Sequence, residues 1–173
     1  MDKIIKFFIL NPDKEFHIRQ LSKLVKKSPT TISKYLKEQE KKGILKSDKK
    51  LNHLFFRANS EGKKFKLIKL NYNLWNLYET GLIDFLIKEF NHPKTIVLFG
   101  SYSRGEDSSN SDIDLFIVSS LKKHPSLDKF EKKLNREIQL IVKSSEEVKK
   151  MKNKELLNNV INGIILSGFL EVL

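Results

Sequence analysis

The chain has 173 residues, 39% of them hydrophobic, a formal net charge of +12 and no cysteine. This length suits one medium domain or two small ones with compact cores, and the missing thiols exclude disulfides, thiolate zinc sites and cysteine catalysis. The apolar run near the end, Val160 to Leu170, is too short to cross a bilayer, and the first residues carry no cleavable apolar segment, so a cytoplasmic protein without a membrane partner is expected. The four histidines, His17, His53, His92 and His124, stand singly, which suits surface or capping roles. Charge is uneven: residues 1–64 hold 17 Lys and Arg against 7 Asp and Glu, a net of +10, whereas residues 65–173 net only +2. The first third is therefore the part suited to a polyanion.

In chain order, Ile4, Ile5, Phe7, Phe8 and Ile9 predict a helix that stops at Asn11-Pro12. Phe16, Ile18, Leu21, Leu24 and Val25 predict a second helix with one buried face. Ser28 as cap and Pro29 as first helical residue open a third, which turns Ile32, Leu36 and Tyr35 inward and ends at Gly43. Ile44 to Ser47 and Leu51 to Ala58 predict a hairpin around the basic turn Asp48-Lys49-Lys50. This order, over residues 1–58, resembles a winged helix-turn-helix, with the domain drawn at 1–60. The resemblance implies binding to double-stranded DNA, with Thr30, Thr31, Ser33, Lys34 and Lys37 facing the major groove and Lys49, Lys50 and Arg57 near phosphates. A protein-docking module with a solvated lysine surface is the competing reading.

Residues 61–91 predict a helical connector. Phe65, Leu67, Ile68, Leu70, Leu74, Trp75, Leu77, Tyr78, Leu82, Ile83, Phe85, Leu86 and Phe90 recur at helical spacing, with a break expected at Asn71-Tyr72-Asn73. Trp75 and Tyr78 are expected in the core, and a homodimer surface is the alternative use of the apolar excess.

Residues 92–173 carry the chemistry. Thr95-Ile96-Val97-Leu98-Phe99 is β-branched, aromatic and uncharged, which predicts a strand buried on both faces. It runs into Gly100-Ser101, where glycine lets a ligand approach the backbone and serine offers a hydroxyl and an N–H to phosphate oxygens. After a polar loop, Asp112-Ile113-Asp114-Leu115-Phe116-Ile117-Val118 predicts a second strand with both aspartates on one face. Two carboxylates so close repel unless a hard cation such as Mg²⁺ lies between them. Later come a Lys-rich helix over Leu127–Leu134, a strand over Glu137–Val142, a helix over Ser145–Asn159 and a closing apolar segment from Ile164 to Leu173.

Gly100-Ser101, Arg104-Gly105 and Ser111-Asp112-Ile113-Asp114-Leu115 resemble the signature of minimal nucleotidyltransferase domains of the polymerase β superfamily. The resemblance implies that Gly100, Ser101, Arg104 and Ser111 bind a nucleoside triphosphate, and that Asp112 and Asp114 hold a two-metal Mg²⁺ site. For Arg104 an ion pair with Glu106 or Asp107 is the competing role, and for Ser111 closure of the loop. The third carboxylate of the family pattern falls on Gln139, an amide, whereas Glu137 lies two residues earlier on the same face and is the substitute candidate.

The overall expectation is an α+β chain: winged helix, connector, then a small mixed sheet flanked by helices. Its function is either nucleoside monophosphate transfer from an NTP to a hydroxyl, with a DNA-binding arm, or DNA-binding regulation in which the transferase domain is inactive or senses nucleotide. The nucleotidyltransferase resemblance also implies a toxin-type protein as a partner.

Overall fold

The computed structural model describes residues 2–51 and 53–171. It is a mixed α+β chain that divides into two compact units, Met1–Lys69 and Leu70–Leu173.

In the first unit, α1 (Lys3–Leu10) starts where the Asp2 carboxylate accepts the Ile4 N–H at 2.7 Å. β1 (Phe16–His17) leads into α2 (Ile18–Val25), and α3 (Pro29–Lys41) follows a short turn. β2 (Leu45–Lys50) and β3 (His53–Ala58) complete an antiparallel sheet in the order β1-β3-β2. Phe8, Leu21, Ile32, Leu36, Leu45 and Phe56 fill the core. The Ser28 hydroxyl accepts the Thr31 N–H at 3.1 Å, and Gly43, at φ +74°, follows the end of α3, as the cap residues predict.

Three expectations for this unit are corrected. Phe16 lies in a strand rather than on α2, because Phe16 and His17 pair with Phe56 and Phe55 across β3. Leu24 is 52% exposed, so Leu21 alone is fully buried on α2. The hairpin turns three residues later than expected: Asp48, Lys49 and Lys50 are strand residues opposite Phe55, Leu54 and His53, and Leu51 takes the bend at φ +48°. Asn52 lies outside the described residues.

The next helix is α4 (Lys63–Glu79). No break occurs at Asn71-Tyr72-Asn73; the helix stops instead before Gly81, whose φ is +75°. In the second unit Tyr72, Asn73 and Leu77 form the buried side of α4. Helical spacing then turns Trp75 and Tyr78 outward, 65% and 51% exposed, against the expected core placement.

The second unit continues with α5 (Leu82–Glu89), β4 (Thr95–Phe99), β5 (Ile113–Val118), α6 (Asp128–Leu134), β6 (Ile138–Lys143), α7 (Ser145–Lys149), α8 (Lys154–Ile161) and β7 (Ile164–Gly168). The sheet order is β6-β5-β4-β7, with β5 and β6 parallel and the other pairs antiparallel. One face packs Ile96, Leu98, Leu115 and Ile117 with Leu82, Leu86 and Phe130. The other packs Val97, Phe99 and Phe116 with Val148 and Val160. Burial on both faces accounts for the uninterrupted apolar run of β4. The single helix expected over Ser145–Asn159 is two, and Ser144 caps the first of them in a reciprocal capping box with Glu147. Of the closing segment, Val172 and Leu173 lie outside the described residues.

Candidate active site

The central strands β4 and β5 run antiparallel with Phe99 opposite Asp114, so the end of one strand and the start of the other meet. Gly100 takes φ +73°, a conformation that glycine alone adopts freely. The space a side chain would occupy there is filled by the Asp114 carboxylate, since a Cβ on Gly100 would be driven into Asp114 Oδ2.

Ser101 leads into a three-residue 3₁₀ turn, Tyr102–Arg104. The Ser101 carbonyl accepts N–H bonds from Arg104 at 3.1 Å and Glu106 at 3.0 Å, and the Ser103 hydroxyl donates to the Gly100 carbonyl at 2.8 Å. The Gly-Ser turn is thus curled tightly against the start of β5.

Asp114 is half-buried and Asp112, just before β5, is exposed. The Asp114 carboxyl is raised above its ordinary range, first by burial and then by the neighbouring charge of Asp112, with Arg104 opposing. Both effects disfavour a second negative charge, and a divalent cation would relieve both. The donors are hard carboxylate oxygens, which fit Mg²⁺. Among the described residues no group of three His, Cys, Asp or Glu side chains is arranged to hold a metal.

The expected third position is clear in the register: Gln139 on β6 lies directly beside Asp114. Glu137 precedes β6, is exposed, and accepts the Ile113 N–H on its backbone carbonyl at 2.9 Å. It lines a polar cavity of about 560 Å³ together with Ser111, Asp112, Lys132 and Arg136. Arg104 Nε donates to Glu106 Oε2 at 2.8 Å, and the Ser111 hydroxyl accepts the Ser108 N–H at 2.9 Å. Both residues therefore make the local contacts weighed for them as alternatives.

Three residues around this site escape motif reading. Asn73 Nδ2 donates to Asp107 Oδ1 at 2.8 Å and to the Tyr102 carbonyl at 3.0 Å. Arg136 Nη2 donates to Asp107 Oδ2 at 3.0 Å, while Nη1 donates to the carbonyls of Ser111, at 2.9 Å, and Ser108. The Asp107 side chain is 0% exposed and that of Arg136 only 11%. Their partners lie about 30 residues away in sequence, so no local pattern announces them.

In the first unit, Thr30, Thr31, Lys34 and Lys37 are exposed on α3 and Ser33 is half-buried. Thr30, Ser33, Lys34 and Lys37 line one cavity of about 720 Å³, which also takes in His17, Arg19 and His53. Thr31 stays outside it, its hydroxyl 2.8 Å from that of Ser28. Lys49, Lys50 and Arg57 are exposed on the hairpin and do not line that cavity, although Lys49 and Lys50 pair across the hairpin with Leu54 and His53, which do; Lys50 also pairs with Glu15 at 2.7 Å.

Residues 80–165 match the family model described as a nucleotidyltransferase domain. Over 67 residues the chain is 36% identical to a protein of Methanocaldococcus jannaschii named as a candidate protein adenylyltransferase, an alignment covering 35% of this chain and 67% of that protein. The chain belongs to the nucleotidyltransferase domain family. Among the described residues, no helix is long and apolar enough to cross a membrane.

Proposed function

We propose that the second unit is an Mg²⁺-dependent nucleotidyltransferase that moves a nucleoside monophosphate from an NTP onto a hydroxyl, and that the first unit is a winged-helix arm for double-stranded DNA. The single observation that supports the transferase reading best is the Asp114 carboxylate lodged against Gly100, with Asp112 beside it. The acceptor oxygen forms a bond to the α-phosphorus while the bond to the pyrophosphate oxygen breaks, and the hydroxyl proton leaves to base or solvent. Mg²⁺ held by Asp112 and Asp114 would neutralise phosphate charge during that exchange. Gly100 leaves room for the Asp114 carboxylate beside the turn, Ser101 offers a hydroxyl, and Arg104 offers a guanidinium that already offsets the Asp114 charge. The name of the Methanocaldococcus jannaschii relative favours ATP as donor and a protein hydroxyl as acceptor.

Gln139 favours a second reading. An amide beside Asp114 cannot accept the hydroxyl proton and is a poorer ligand for a hard cation. On this reading the domain senses nucleotide and the protein acts as a DNA-binding regulator. Incubation with each α-labelled NTP, Mg²⁺ and a cell extract separates the two. Label transferred to a macromolecule or metabolite, and lost in Asp112→Ala and Asp114→Ala, supports the enzyme. Mg²⁺-dependent nucleotide binding without transfer supports the sensor, and neither binding nor transfer overturns both.

A further inference from the structure

We propose that Asn73, Asp107 and Arg136 act as positioning residues that hold the phosphate-gripping turn and the aspartate pair at one fixed separation; this rests on the nucleotide site proposed above. A single amide group makes the first link. The two hydrogens of Asn73 Nδ2 go to different segments: one to Tyr102, just after Gly100-Ser101, and one to Asp107, in the loop that delivers Asp112. The second link is a buried ion pair. The other Asp107 oxygen takes Arg136 Nη2, and Arg136 Nη1 binds the carbonyls of Ser108 and Ser111 at the far end of the loop. The Ser111 carbonyl belongs to the peptide that joins it to Asp112, so the guanidinium holds the backbone that carries the first aspartate.

Stability alone accounts poorly for such a network, since a buried pair commonly does no better than apolar side chains of the same volume. Its distinctive contribution is a specified geometry, and transfer chemistry requires donors held to within a fraction of an ångström. Arginine suits this role because its planar fork reaches a carboxylate and two carbonyls at once, which a lysine cannot do.

The test uses the full chain with Arg136→Lys, which retains the charge, and Asn73→Ser, which shortens the amide to a hydroxyl. Hydrogen exchange in the unliganded protein is expected to quicken across residues 101–112 while that of β4 stays unchanged. Affinity for a non-hydrolysable ATP analogue with Mg²⁺, measured at temperatures where each variant is fully folded, is expected to fall about 10- to 100-fold, the range for groups that orient metal ligands. Unchanged exchange over 101–112 in both folded variants overturns the proposal, as does an affinity that falls only in step with global stability. Failure of the unaltered chain to bind the Mg²⁺ nucleotide counts against the proposed function alone, because the exchange result stands without nucleotide.

Discussion

Asp114 and Gln139 are register partners across the parallel pair β5 and β6, so the amide stands where a carboxylate would add a third ligand to the Mg²⁺ site proposed above. The substitution Gln139→Asp is therefore expected to strengthen Mg²⁺ binding by about tenfold or more, because it adds a hard anionic ligand beside two that already repel each other. Titration with Mg²⁺ in the presence of an ATP analogue measures it. A fall in Mg²⁺ affinity would mean that the β6 position does not face the metal.

Gly100 is constrained twice, by its φ of +73° and by the Asp114 carboxylate that fills its side-chain space. Gly81 is constrained once, with φ +75° and nothing within 4 Å. Alanine at Gly81 is expected to cost only the left-handed backbone penalty of about 1–2 kcal/mol. Alanine at Gly100 adds displacement of Asp114, and with it loss of Mg²⁺-dependent nucleotide binding. Equal unfolding midpoints and equal nucleotide binding in the two variants would show that the Asp114 contact carries no weight.

The signals legible in the sequence were local ones. The Thr95–Phe99 strand, the Gly-Ser turn and the Ser-Asp-x-Asp start of β5 each follow from a few adjacent residues whose burial period and turn chemistry agree. What escaped reading depends on distant partners. β1 is two residues long and exists through pairing with β3, about 40 residues later. α4 turns Asn73 inward because its amide is satisfied by Tyr102 and Asp107, which leaves Trp75 and Tyr78 on the outside although hydrophobicity alone favours the reverse. Arg136 reads as an ordinary charged residue before a strand until the loop folds over it.

The basic face of the first unit predicts salt-dependent DNA binding. Each phosphate contact removed is expected to lower the slope of log affinity against log salt by about 0.9. Lys49→Ala and Arg57→Ala on the hairpin are expected to show this loss, whereas Lys34→Ala and Lys37→Ala, both in the α3 cavity, and Arg19→Ala on the same cavity wall are expected to weaken binding. Lys50→Ala is expected to show less, because its ammonium is engaged by Glu15. Fluorescence anisotropy with a labelled duplex across a salt series reads the slopes. Binding that ignores salt would favour the protein-docking use of this face.

Glu147 supplies a pH-dependent contribution to the fold. Its carboxyl is drawn down to about 2 from an ordinary 4.5, first by the hydrogen bond from Lys122 and then by the N–H of Ser144, the latter at 2.7 Å. A depressed folded-state value means that the ionised form is favoured by folding. The stabilisation is fully present above about pH 4.5 and is lost as pH falls toward 2. Glu147→Gln keeps an oxygen for the Ser144 N–H and removes the charge. The gap between the unaltered chain and this variant in urea midpoint is expected to be constant from pH 7 to about 5 and to narrow progressively below that, through pH 3 toward 2. Lys122→Met, which removes the largest cause, is expected to lessen the pH dependence of that gap when Glu147→Gln is made in its background. A gap that stays constant down to pH 3 would show that the ion pair and the cap do not distinguish the folded from the unfolded chain.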